Sequence, residues 1–265
     1  MVLFGILAKE VIMNKLIFQL KNWLFITVTI ILFITNSNAQ QLIQSGKITF
    51  ERNENLHKLI NDKSSWSQAM KSKMPKYRTD VFQLSFNKKS SAYKLTQEDE
   101  SPYANWYYRV AAQNSVFTNI ETNKMIADKI VYERCYRVED SIPKMKWKLL
   151  GEYRNIAGFN CRKAATILMD SIYIIAFYTD EIPVSAGPES FQGLPGMILG
   201  IVIPRLNITY FATKVENLVL PETEFTTTPA PKNKKTNILE LKKEILKDTK
   251  EWGEDGPKIY WKVML

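Results

Sequence analysis

Phe82-Gln83-Leu84-Ser85-Phe86-Asn87-Lys88-Lys89-Ser90-Ser91-Ala92-Tyr93-Lys94-Leu95 sets the fold class of this chain. Phe82, Leu84 and Phe86 alternate with Gln83 and Ser85, the period-two pattern of a strand that buries one face. Asn87-Lys88-Lys89-Ser90 supplies the polar residues of a hairpin turn, which leads into Tyr93 and Leu95. The pattern repeats on both sides of this hairpin. Upstream, Ile48 and Phe50 alternate with Lys47, Thr49 and Glu51. Downstream, apolar runs over 116–120 and 125–138 are split by Glu121-Thr122-Asn123, with a period of two through Ile130, Tyr132, Arg134, Tyr136 and Val138. Phe159, Cys161, Ala165, Ile167 and Met169 define one face of a further strand, and Asp170-Ser171 turns the chain into 172–178. Runs over 197–203 and 207–215 are joined by Pro204-Arg205-Leu206.

Sequential runs joined by short turns predict an antiparallel meander. The strand–helix–strand alternation of a parallel nucleotide-binding sheet is missing from the pattern. Two segments have helical spacing instead. Residues 54–74 carry Leu56, Ile60, Trp66 and Met70 in a broken amphipathic pattern that ends before Pro75. Residues 236–252 place Ile238, Leu241, Ile245 and Trp252 on one face with Lys and Glu opposite, after a polar, Pro-containing connector over 226–231. The expected architecture is mainly β, of the α+β kind: a curved antiparallel sheet or partly closed barrel with one or two packed helices.

The first 39 residues have the organisation of an export signal. Lys15 and Lys21 form a basic region, residues 23–35 an uncharged apolar run, and Ser37-Asn38-Ala39 a small-residue cleavage site before Gln40. Met13 is a second candidate start. The apolar run is shorter than the roughly 20 residues a membrane-spanning helix needs, so no transmembrane span is expected after cleavage. No Cys follows the cleavage site, so a lipoprotein is not expected either. The organisation this implies is a signal over 1–39, a β-rich domain over 40–220, and a connector with a C-terminal amphipathic helix over 221–265.

The 265 residues are 45% hydrophobic, which suits a globular domain with a sizeable core. The formal charge of +9 becomes +7 once Lys9, Lys15 and Lys21 leave together with Glu10. The basic residues are scattered apart from Lys232-Asn233-Lys234-Lys235, and an exported chain is a poor nucleic-acid partner, so the charge reads as a solvated surface. Cys135 and Cys161 are the only cysteines. An even pair outside the cytoplasm predicts a disulfide, with two buried free thiols as the alternative. His57 is the only histidine, which is too few for a typical structural zinc site. No nucleophile-elbow sequence accompanies it to form a Ser-His-Asp triad. No cofactor is expected.

The most unusual stretch runs from Phe177 to Leu199: Phe-Tyr-Thr-Asp-Glu-Ile-Pro-Val-Ser-Ala-Gly-Pro-Glu-Ser-Phe-Gln-Gly-Leu-Pro-Gly-Met-Ile-Leu. Its glycines and prolines predict a turn-rich excursion between two strands, with Phe191 and Leu194 buried as a plug and Gly193-Leu194-Pro195-Gly196 making a tight turn. A phosphate loop does not fit. No Lys-Ser/Thr pair follows, Pro188 and Pro195 lack N–H groups, and a strand follows rather than a helix. Asp180, Glu181 and Glu189 are the candidate acid/base or cation-binding carboxylates here.

The order Tyr178-Thr179-x-Glu181-Ile182-Pro183, Gly187-Pro188, Phe191-x-Gly193-Leu194-Pro195-Gly196 resembles the GLPGLI family, also called Porph_ging, of exported Bacteroidota proteins. The stretch from Gly46 to Arg52 is similar to the family's opening strand, and that from Ile156 to Ala164 to its Gly-aromatic-x-Cys-basic-basic-Ala segment. The likeness spans roughly 46–215, with Met197 where the family more usually has Leu. It implies a periplasmic or outer-envelope location, and it implies no activity. Together these readings lead to the expectation of a non-enzymatic envelope protein that binds an apolar ligand, an outer-membrane protein or a secreted protein. The alternative is an envelope hydrolase that works through the loop carboxylates.

Overall fold

β1 (Gly46–Asn55) lies near the middle of a twelve-stranded sheet, between β2 (Tyr77–Phe86) and β11 (Ile208–Asn217). The computed structural model describes residues 13–27, 42–60, 64–101, 110, 112–227, 233–253 and 255–265. The remaining strands are β3 (Ser90–Gln97), β4 (Ser115–Asn119), β5 (Lys124–Val131), β6 (Arg134–Ser141), β7 (Lys148–Ile156), β8 (Phe159–Leu168), β9 (Ile172–Thr179), β10 (Met197–Ile203) and β12 (Lys234–Thr236). Their order is β12-β6-β5-β4-β3-β2-β1-β11-β10-β9-β8-β7, so the sheet is open, with β12 and β7 at its edges. Every pairing is antiparallel except β12 on β6, which makes the sheet mixed rather than purely antiparallel.

Period-two alternation explains the core. Ile48 and Phe50 in β1 face the same way as Phe82 and Leu84 in β2, and all four are fully buried. Phe82 stacks on Tyr93 of β3 at 4.7 Å between ring centroids. Each such side chain contributes roughly 1.5–3 kcal/mol on burial. The hairpin at Asn87 forms as its sequence predicts, with Asn87 Oδ1 accepting from the backbone N–H groups of Lys89 and Ser90.

Several local readings are corrected. The run over 125–138 is two strands, because Tyr132 adopts a left-handed φ of 57° and folds β6 back onto β5. β7 lacks apolar alternation because it is an edge strand exposed along most of its length. Ile167 of β8 points outward and is exposed, while Cys161, Ala164 and Ala165 are buried. Residues 54–74 are not one broken helix. Glu54 belongs to β1, a 3-10 turn covers Leu56–Lys58, and helix α2 is confined to Ser65–Lys73, capped by Ser64. Helix α1, over 13–27, is counted first in the chain and belongs to a separate contact unit over 1–41. Most of the apolar run 23–35 and the cleavage residues Ser37-Asn38-Ala39 lie outside the described residues. No described helix is long and apolar enough to cross a membrane.

Residues 42–265 form the second contact unit, which includes the C-terminal segment. The expected helix over 236–252 divides in two. α3 (Ile238–Asp248) is capped by Asn237 and anchored to β6 by Asp140, whose Oδ2 accepts from the Ile238 N–H at 3.0 Å. α4 (Asp255–Val263) follows, and its Ile259, Tyr260 and Val263 join Leu241 and Ile245 of α3 in the core. Trp252 sits in the turn between the helices, against Tyr132. The lysine cluster before α3 supplies β12.

The expected disulfide does not form, and Cys135 and Cys161 are both free thiols. They sit on β6 and β8, with eight strands between them in the sheet order. A disulfide needs Cα atoms within about 7 Å, little more than one inter-strand spacing.

Candidate functional site

The signature excursion between β9 and β10 folds back along the core. Ile182, Val184, Ala186, Phe191 and Leu194 are buried, as are Gly187, Pro188 and Tyr178, whereas Pro183 and Pro195 are exposed. Met197 N–H donates to the Ile182 carbonyl at 3.0 Å and Ile198 N–H to Ala186 at 2.9 Å, so the loop is stitched to the start of β10. Two glycines are required by geometry. A Cβ on Gly187 would meet Ile198 Cβ at 2.8 Å. Gly196 has φ +150°, and a Cβ there would lie 2.1 Å from the Thr179 carbonyl oxygen. Gly193, at φ +93°, needs only its conformational freedom. Its N–H donates to Ser185 Oγ at 2.9 Å, and Trp147 caps the adjacent Gln192 carbonyl at 2.8 Å.

The three loop carboxylates do not act as a group. Asp180 is exposed and Glu181 half-buried, and Glu181 accepts the Ile43 N–H only through its backbone carbonyl. Glu189 is buried, in a left-handed conformation at φ 53°. Its carboxylate accepts from Asn114 Nδ2 at 3.1 Å and from the Tyr210 hydroxyl at 3.3 Å. His57 is occupied locally, its Nε2 donating to the Met74 carbonyl at 3.2 Å. Among the described residues no group of three or more His, Cys, Asp or Glu could hold a metal ion.

Beneath Glu189 lies a buried charge network that the sequence reading missed. Register places Arg52 of β1 opposite Asp80 of β2 and Tyr210 of β11, and Glu54 opposite Arg78. Arg78 approaches Glu54 Oε2 at 2.5 Å and Arg52 approaches it at 3.3 Å. Both guanidiniums also approach Asp80 Oδ2, at 3.5 and 3.6 Å. Lys262 of α4 donates to Glu54 Oε1. Burial alone would raise the Glu54 pKa, but Lys262, Arg52 and Arg78 overcome it and hold the carboxyl at about 2. A signal for this network was present. Arg52 and Glu54 continue the inward parity of Ile48 and Phe50, and Asp80 and Arg78 continue that of Phe82 and Leu84. The charges extend the buried face beyond its apolar residues.

Between the sheet and the C-terminal helices lies an apolar cavity of about 230 Å³, partly open to solvent. Its walls come from β4 and β5, the segment before β7, the β8–β9 turn, Ser190 of the signature excursion, and α3 and α4. Met125 in β5 and Leu168 in β8 share the cavity although seven strands separate β5 from β8 in the order, so the sheet curves around it. The lining is mostly Met, Leu, Val, Ile and Ala. Its charged members are Lys129 and Lys242. Lys129 occupies an inward position of β5 between Ala127 and Val131 and is 7% exposed. Burial pushes its pKa down, and the Glu189 carboxylate opposes that shift.

A curved, open β-sheet that closes an apolar cavity with its own C-terminal helices is therefore the class of protein defined here. The family described as "Protein of unknown function (Porph_ging)" matches residues 166–200, from within β8 through the excursion to Gly200 of β10. This segment carries the signature of the GLPGLI family that the motif resembles. No curated protein matches the chain. Two solved structures of PNGF-II, in space groups P21 and C2, are similar at 18% and 16% identity with TM-scores of 0.46 and 0.47. Each covers 78% of this chain, which spans only 34% and 33% of the respective PNGF-II chains. An uncharacterized conserved protein from Thermus thermophilus is similar at 6% identity and a TM-score of 0.38, covering 74% of this chain and 91% of that one.

Proposed function

We propose that this protein is a non-enzymatic binding protein of the cell envelope, exported by a cleaved signal and holding an apolar ligand between its sheet and its C-terminal helices. The cavity of about 230 Å³ carries this reading. Engineered apolar cavities of about 150 Å³ already take up benzene, and a concave, mostly apolar pocket with few polar groups is the usual form of a small-molecule site. The scattered positions of Asp180, Glu181 and Glu189 favour binding over hydrolysis by loop carboxylates. An apolar ligand is preferred over an outer-membrane or secreted protein partner because the concavity is closed over by the chain's own helices.

The test is a fluorescence titration of the full chain with N-phenylnaphthylamine, a neutral apolar probe, together with native mass spectrometry of the protein purified from its envelope fraction. Saturable one-to-one binding is expected, and Met264→Trp, which fills the cavity from a half-buried position, is expected to abolish it. A wild-type chain that does not bind the probe would overturn the reading. Recovery from the cytoplasm with residues 1–39 intact would overturn the export part of it.

A further inference from the structure

We infer that the ligand is a short acyl chain ending in a carboxylate, with that carboxylate paired to Lys129. This rests on the binding reading above and names its ligand class. Lys129 is more than nine-tenths buried and lines the cavity, and none of the described residues gives its ammonium a hydrogen bond or an ion pair. The nearby Glu189 carboxylate is already engaged by Asn114 and Tyr210. An ammonium with little access to water and no protein partner is costly, and β5 would gain by an aliphatic residue at this inward position. A ligand that brings its own anion removes that cost.

The rest of the lining points the same way. The two charged side chains in the wall are both lysines, Lys129 deep and Lys242 at the exposed rim. Ser190 Oγ is committed to the Leu265 backbone oxygen at 3.1 Å, and among the described lining residues Lys129 is the buried cation. One buried cation, with no arginine fork lining the cavity, suits a monoanionic carboxylate better than a phosphate, which calls for several donors. The apolar walls then hold the hydrocarbon.

Isothermal titration of the full chain with sodium octanoate and with octanol tests this. Octanoate is expected to bind the wild type at least about tenfold more tightly than octanol, the margin of one charge-assisted pair in an apolar site. Lys129→Met is expected to erase that preference while octanol binding persists, and Lys242→Gln to keep most of it. If octanol and N-phenylnaphthylamine bind the wild type but octanoate is no better than octanol, the carboxylate inference falls and the binding reading stands. If none of the three binds, both fall. Retention of the octanoate preference by Lys129→Met would also overturn the pairing. Should that variant not fold, judged by circular dichroism, the wild-type ratio decides alone.

Discussion

The ammonium of Lys262, in the last helix, donates to the carboxylate of Glu54, in the first strand of the sheet, and both groups are buried. Glu54 also accepts from Arg52 and Arg78, so one carboxylate ties α4 to β1 and β2. The helix that supplies Tyr260 and Val263 to the cavity is thus held by a charge as well as by apolar packing. A buried pair of this kind does not guarantee net stability, but removing one partner strands the other.

Lys262→Met is accordingly expected to destabilise the fold by about 2–3 kcal/mol, at or just below the lower end for a broken buried pair because two arginines remain on Glu54. Urea unfolding followed by circular dichroism measures it. A midpoint within error of wild type would show that α4 is held by its apolar contacts alone.

Acid should weaken the same anchor. The Glu54 pKa is about 2 in the folded protein against an ordinary 4.5. A depressed carboxyl contributes stability that is fully present above the ordinary value and is lost as pH falls through the folded one. The loss therefore falls between about pH 4.5 and pH 2 and amounts to roughly 3 kcal/mol. Chemical denaturation across this window should show it. Glu54→Gln should be less stable at neutral pH and should lack this component of the slope. An unchanged slope in that variant would assign the acid sensitivity to other carboxyls.

The glycines of the signature should differ sharply. Gly196→Ala brings a Cβ to 2.1 Å from the Thr179 carbonyl on a backbone L-residues avoid, and at least about 3 kcal/mol of destabilisation or no folded protein is expected. Gly193→Ala meets nothing closer than 3.6 Å, so only the left-handed backbone resists it, at about 1 kcal/mol. Thermal unfolding of the two variants decides, and equal effects would mean that crowding at Thr179 does not govern the turn.

The thiols provide a further check. Burial pushes the Cys161 thiol up to about 12, with the Glu181 carboxylate adding to the effect, while Cys135 is only half-buried. Iodoacetamide at mildly alkaline pH should modify Cys135 well before Cys161, and peptide mapping without reductant should find no peptide linking the two. Comparable labelling rates, or a linked peptide, would contradict the strand placement.

Hairpins with strong alternation were legible because register follows from side-chain parity. Phe82 to Leu95 specifies its own turn and its buried face. β7 was not legible, since an exposed edge strand has no face to bury, and neither was the fold-back at Tyr132, since it breaks no alternation. The burial of Ile182, Phe191 and Leu194 follows from their apolar character in a turn-rich loop. The charged half of the buried face was overlooked because Arg52, Glu54, Arg78 and Asp80 look solvated until β1, β2 and α4 bring them together.

By itself, the sequence determined the β-rich class, most strand positions and the glycine-dependent excursion, because these depend on local periodicity and on backbone conformations available to few residues. Only the tertiary structure decided the cavity, its buried Lys129 and the anchor from Lys262 to Glu54. Those arise where segments up to 208 residues apart are brought together, and the pairing of a charge depends on neighbours that local sequence does not name.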